Sequence, residues 1–260
     1  MVTNSLPRDT DFAGEQPRFW GARAQSIVFD AFSLMFPAAE AFMIRAAQEA
    51  HDRVADSALK RAVAGFVHQE ASHARLHAAY NRAMDARGFS ATALGARNAQ
   101  LIGLMESRIG LRRKLAASAG LEHFTALIAE AILTDPRLLD GADPRYAALW
   151  RWHAREEVEH RAVAYDVHMA LYPKGAWVSR ARAFGASLVI LFALFWSNVW
   201  RLTGDSYERS RLATMLDIAW FLFGAPGFFR RIALPTLAYL KPGFHPDNVQ
   251  PHPIAAPVIA

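Results

Sequence analysis

The chain of 260 residues contains no cysteine. Disulfide bonds and thiolate metal ligands are therefore excluded, and a metal ion would have to be held by histidine and carboxylate side chains. Charged residues are also scarce, at 20% of the chain against 53% hydrophobic residues. This composition predicts a folded protein with a substantial buried core.

Several functional signatures are missing as well. The first twenty residues lack a basic segment followed by an apolar one, so we expect no secretory signal and a cytoplasmic protein. The sequence has no P-loop, dinucleotide fingerprint or nucleophile elbow. Its net charge of +5 comes from scattered arginines without a basic recognition helix, so we expect no nucleic-acid partner.

What the chain does contain is helical periodicity, with strand-like alternation almost nowhere. The pattern predicts an all-α protein, a ferritin-like helical bundle at residues 31–175 after an N-terminal extension at 1–30. Four long helices are expected: one from near Pro37, one capped by Asp56 or Ser57 and ended by Gly88, one at 111–134, and one that ends at Pro173.

The composition changes after the fourth helix. Residues 183–200, "AFGASLVILFALFWSNVW", are uncharged over about the minimum length of a spanning helix. We expect an apolar helical extension at 176–240 and a proline-rich tail at 241–260. The apolar segment is compatible with association with the inner membrane, with burial against the bundle, or with a monotopic or homodimer-interface helix.

Two Glu-x-x-His pairs are the main candidates for metal ligands. Glu70 and His73 in "HQEASH" share one helix face, and Glu157 and His160 repeat the spacing on the fourth helix. Bundles that hold two metal ions combine two such pairs with one glutamate from each of two further helices. The first and third helices each offer a glutamate among apolar residues, namely Glu40 in "FPAAEAF" and Glu122 in "GLEHFTAL".

The sequence thus predicts two metal ions, in the first place iron, with manganese and zinc as alternatives. His77 and His153 lie on the same stripes as the two pairs, and Glu156 competes with Glu157 for the role of ligand. The pattern favours Glu157 as the ligand and leaves three candidate catalytic or orienting residues, His77, His153 and Glu156.

These segments resemble the bacterial predicted metal-dependent hydrolases. The resemblance is carried by "FPAAEAF", "HQEASHARLH", "LEHFTAL", "LWRWHAREEVEHRAVAYDV" and "YLKPGFHP", with Ala39 where a glycine is expected. It implicates nine residues in the site: Glu40, Glu70, His73, His77, Glu122, His153, Glu156, Glu157 and His160.

Three functions follow from this ligand set. The bundle pattern favours an oxygen-activating di-iron oxidase or oxygenase that acts on a small or lipid-like organic substrate. The family resemblance implies the alternative, a metal-dependent hydrolase that uses a metal-activated water. The third is a non-catalytic protein that binds or stores iron or oxygen.

Overall fold

The computed structural model describes residues 23–204 and 210–249. Within these ranges the chain forms α-helices and two short 3-10 turns and no strand, which confirms the prediction of an all-α bundle. Residues 1–22 of the expected N-terminal extension and residues 250–260 of the expected tail lie outside the described residues. The helices are α1 (Arg23–Ser33), α2 (Phe36–His51), α3 (Ser57–Ala86), α4 (Ala91–Glu106), α5 (Leu111–Thr134), α6 (Pro144–His160), α7 (Val163–Leu171), α8 (Ala176–Gly204), α9 (Arg211–Phe223) and α10 (Phe228–Ala238).

Local sequence explains where the helices of the bundle begin and end. The Asp56 carboxylate accepts a hydrogen bond from the backbone N–H of Ala58 and so caps α3, and Asp143 caps α6 in the same way. Gly88 follows α3 with a positive φ of 89°, a conformation that glycine adopts without steric cost. The third expected helix coincides with α5.

The structure differs from the expected helices in three places. Helix α1 occupies residues assigned largely to an extension, because its buried Val28, Phe29 and Phe32 pack into the common core. Helix α4 was not anticipated. The expected fourth helix is two helices, α6 and α7, which break between His160 and Val163.

Helix α5 is the central helix of the bundle. It packs against α2, α6, α7, α8 and α10. A run of small residues, Ala116 to Gly120, lies buried along it and permits the close approach of its neighbours. At Gly120 the fit against α8 is tight: a Cβ placed there would lie 2.7 Å from Cδ2 and 3.3 Å from the Cα of Phe184.

The motif "YLKPGFHP" after α10 closes the C-terminal end over the bundle. The Tyr165 hydroxyl donates a hydrogen bond to the backbone oxygen of Phe244, and His245 Nε2 lies 3.0 Å from an Asp166 oxygen. Arg180 packs its guanidinium between the rings of Tyr165 and Tyr239. The role of this motif in the described structure is therefore to hold the C-terminal helices on the bundle.

Among the described residues, three helical stretches are long and apolar enough to span a membrane, or up to four if the bent pair α9–α10 counts as one. Two of them, Ala24–His51 and Leu111–Thr134, form the interior of the protein: 72% and 83% of their apolar 18-residue windows are buried. In the third, Ala176–Gly204, only 28% of the corresponding window is buried. Of the three, α8 therefore has the apolar surface that is open to a membrane.

Gly120→Ala is expected to destabilise the fold by about 1–3 kcal/mol, because the added methyl group must displace the buried ring of Phe184. Gly65→Ala is the matched control: the site is exposed on α3 with nothing within 4 Å of the new Cβ. There the higher helix propensity of alanine should stabilise by about 0.5–1 kcal/mol. Urea denaturation measures both changes, and equal stability of the two variants would contradict the tight α5–α8 packing.

Candidate metal centre

Four helices bring their acidic and imidazole side chains into one buried region. Helix α2 supplies one glutamate, α3 a glutamate and two histidines, α5 one glutamate, and α6 two histidines and two glutamates. Every residue that the sequence predicts for the site is buried here: Glu40, Glu70, His73, His77, Glu122, His153, Glu156, Glu157 and His160.

One group of donors is formed by the two Glu-x-x-His pairs. Ligand atoms of Glu70, His73, Glu157 and His160 all lie within 4.8 Å of one another. Nδ1 of His73 is 3.7 Å from an oxygen of each of the two glutamates, and Nε2 of His160 is 3.2 Å from Glu70 Oε1. The spacing of each Glu-x-x-His pair puts its two side chains on one face of its helix. The packing of α3 against α6 brings these two faces together.

The second group adds α2 to the centre. Ligand atoms of Glu40, His73 and His153 lie within 4.8 Å of one another, with His153 Nε2 at 3.8 Å from Glu40 Oε1. The fourth carboxylate, Glu122 on α5, is 3.0 Å from Nδ1 of His160. His153, which we expected to be catalytic or orienting, thus lies in a group of donors that could hold a metal ion.

Glu156 and Glu157 occupy different places around His73. Glu157 faces Nδ1 of this ring, the nitrogen that points into the donor group. Glu156 Oε2 lies on the far side, 3.2 Å from Nε2. A carboxylate in that position fixes the orientation and tautomer of a ligating imidazole. The geometry thus favours Glu157 as the ligand and Glu156 as its outer partner.

A hydrogen-bonded chain from α1 orients His153. The Ser33 hydroxyl donates to Asn81 Oδ1, so its oxygen must accept from His77 Nδ1, 3.0 Å away. Burial lowers the pKa of His77 well below its usual range, and the nearby His153 adds to this effect. The neutral ring then accepts at Nε2 from His153 Nδ1, at 2.8 Å.

This series of hydrogen bonds occupies Nδ1 of His153, so Nε2 is the nitrogen of that ring that faces the carboxylates. The tautomers are assigned from the hydrogen-bond network. Ser33 and Asn81 are not among the residues predicted for the site. Asn81 lies four residues after His77 on the same face of α3, a signal that could have been read, whereas Ser33 is 44 residues away from His77 and meets it only in the fold.

The electrostatics of the centre disfavour four ionised carboxylates. Burial raises the pKa of Glu40 and Glu122 well above the usual range, and the charges of Glu70 and Glu157 add to the shift. Burial also raises the pKa of Glu70, to about 8, with repulsion from Glu157 acting in the same direction. Burial opposes ionisation of Glu157 too, but the neighbouring His153, His160 and His73 lower its pKa to about 2.

The donor atoms themselves fit metal ions. Several are buried and have no hydrogen-bond partner in the described part of the chain, although such atoms normally have one. They are both oxygens of Glu40 and of Glu70, Oε1 of Glu122, Oε2 of Glu157, Nδ1 of His73 and Nε2 of His160. His160 Nε2 lies 3.2 Å from Glu70 Oε1, but their geometry is not that of a hydrogen bond. Carboxylate and imidazole donors without thiolates suit iron, manganese or zinc.

The comparison with known families agrees with this donor set. Residues 6–250 match the family described as predicted metal-dependent hydrolases. The chain belongs to this family. Neither the curated proteins nor the solved structures include a match to this predicted metal-dependent hydrolase.

Family membership helps to choose between the oxygen-activating and the hydrolytic function, which the ligand set alone does not distinguish. The family description corresponds to the hydrolytic alternative and does not support the expected oxygen-activating function. Together with the buried Glu/His cluster it supports metal ions as cofactors and leaves the identity of the metal undetermined. The roles of the individual site residues remain predictions, now with a defined geometry.

Ser33→Ala should weaken metal binding by about tenfold or more, because His77 loses the oxygen that fixes its tautomer and thereby that of His153. Competition with a chromophoric chelator measures the change in Kd. Ser72→Ala is the matched control, since the buried Ser72 hydroxyl bonds only within its own helix: it donates to the backbone oxygen of His68 and accepts from Arg75 Nη2. Unchanged metal affinity in the Ser33 variant would contradict the orienting chain.

Proposed function

We propose that this protein is a hydrolase whose Glu/His centre binds two metal ions and cleaves an ester, amide or phosphate bond. The observation that carries the proposal is the buried set of donors without hydrogen-bond partners, in a chain of the metal-dependent hydrolase family. A bound metal ion supplies the chemistry by lowering the pKa of water and by polarising the bond to be cleaved.

The first task of the chain's own residues is to hold the metal ions. The proposed ligands come from all four helices: Glu40, Glu70, His73, Glu122, His153, Glu157 and His160. Because each helix contributes, a loaded centre also fixes how the helices pack. Ligation requires that these carboxyl groups lose their protons, so metal binding is expected to release protons and to weaken in acid.

The second task is to move a proton at the edge of the centre. The Glu156 side chain is 10% exposed, the most exposed carboxylate of the cluster, against 5% for Glu157. It lies outside the donor group, where its Oε2 accepts a hydrogen bond from His73 Nε2. We assign to Glu156 the role of general base, which takes a proton from water or from the substrate.

Glu156→Gln should lower kcat about a hundredfold or more, because the amide takes up no proton. The metal content should stay unchanged, because the amide oxygen can still accept the hydrogen bond from His73 Nε2. The assay uses metal-loaded protein without oxygen and a panel of p-nitrophenyl esters and phosphates. Glu159→Gln on the exposed face of α6 is the control and should retain activity. Loaded protein that hydrolyses none of these substrates but consumes oxygen would replace hydrolysis by the oxygen-activating alternative.

We further propose that the protein works at an anionic membrane surface. Helix α9 exposes an apolar stripe at helical spacing, Leu212, Leu216, Trp220 and Phe223, and α10 exposes Leu234 and Leu237. Helices α8 to α10 together contain six arginines and a single acidic residue, Asp217. Apolar side chains beside arginines match the interface of a bilayer with negatively charged lipids.

Leu216→Ser should reduce binding to phosphatidylglycerol vesicles about tenfold, since a leucine side chain contributes about 1.5–3 kcal/mol when it leaves water. Vesicle co-sedimentation measures the bound fraction. Leu104→Ser on α4 changes a leucine of similar exposure, 52% against 62%, and should have no effect. Equal binding of phosphatidylcholine vesicles, or equal loss in both variants, would refute this surface.

A further inference from the structure

A groove runs along α8 and separates it from α4 and the start of α5. Its volume is about 920 Å³. This lies within the range of about 300–1,000 Å³ that small-molecule sites occupy. Most of its lining is apolar, and none of the proposed metal ligands takes part in it.

The shape of the groove favours a long, narrow ligand. Helix α8 lines it from Val178 to Leu194. At 1.5 Å per residue this stretch is about 24 Å long. From Ala183 onward, apolar residues of α8 recur every three or four positions, at Ala183, Ala186, Ile190 and Leu194, so they form an apolar strip with Ser187 beside it. A single alkyl chain fits such a strip better than a compact ring system does.

The two ends of the groove differ in charge. Arg108, Arg112 and Arg113 line it near the first turns of α8, where Arg112 Nη2 donates to the backbone oxygen of Lys174 at 2.6 Å. Arg182 on α8 adds a fourth guanidinium. The other end is apolar, and is lined by Met35, Ile190, Leu191 and Leu194. The groove thus has one cationic end and one apolar end.

The arginines retain charge for a ligand. Arg108, Arg113 and Arg182 form no ion pair within the part of the chain that the structure describes. The one acidic residue of the lining, Glu106, is held by Arg45, whose Nη2 lies 2.6 Å from Oε2. A second cation, Lys114 Nζ, lies 3.9 Å from the same carboxylate. The cationic end is therefore complementary to an anionic group.

We propose that this groove binds a single-chain amphiphile with an anionic head group, a carboxylate or a phosphate. The alkyl chain lies along the apolar strip of α8, and the head group lies at Arg108, Arg112, Arg113 and Arg182. The groove touches the bundle at Ala39 and Leu121, which directly precede Glu40 and Glu122 in sequence. Because the site contains no metal ligand, this inference extends beyond the proposed hydrolysis and can be tested without it.

Calorimetric titration of the full-length protein with palmitate, hexadecyl phosphate and hexadecanol, each below its aggregation concentration, tests the proposal. Both anionic amphiphiles, or one of them, should bind at least about tenfold more tightly than the neutral alcohol, because charge-assisted hydrogen bonds to guanidinium groups are the stronger kind. The preferred anion identifies the head group as a carboxylate or a phosphate. Equal affinity for all three compounds would overturn the proposal.

Two variants locate the site. The double variant Arg108→Gln/Arg182→Gln should lose the preference for anionic amphiphiles and keep its affinity for hexadecanol. Ala186→Trp fills the exposed middle of the groove and should abolish binding of all three. Arg201→Gln and Ala193→Trp, on α8 but outside the groove lining, are the matched controls. Binding that is unchanged in the groove variants, or lost equally in the controls, would overturn the assignment.

Discussion

The burial of four carboxylates with three imidazoles in one space is the constraint on which the rest of the bundle depends. Glu40, Glu70, Glu122 and Glu157 come from four different helices and are shielded from water. Their mutual repulsion and desolvation raise the pKa of three of them, so the centre either retains protons or is neutralised by cations. Metal binding and the packing of these helices are therefore thermodynamically coupled.

The residues around the donors explain why the centre has a defined protonation pattern. Ser33 and Asn81 determine the tautomer of His77, which determines the free nitrogen of His153. Elsewhere in the centre, Glu156 accepts a hydrogen bond from Nε2 of His73, the nitrogen that faces away from the donor group. Two histidines thus present lone pairs inward because their other nitrogens are occupied, which is the arrangement that a metal site requires.

Helices α8 to α10 in the apolar C-terminal third both pack against the bundle and expose apolar surface. Phe184 on α8 packs against Gly120 of the central helix, and the motif after α10 fastens the three helices to the bundle. The remaining apolar surface of α8 to α10 is larger than the bundle can cover. Arginines beside this surface and at one end of the groove are the reason for the two proposals that lipids and anionic amphiphiles bind there.

The sequence by itself determined the all-α class, the helix that carries Glu122, and the two Glu-x-x-His faces, because helical periodicity, caps and breakers act over a few residues. Tertiary structure decided the rest. The inclusion of α1 in the core, the inward turn of His153 and its chain to Ser33 depend on contacts between distant segments. No local spacing records which helix faces meet, because that outcome is set by the packing of the entire core.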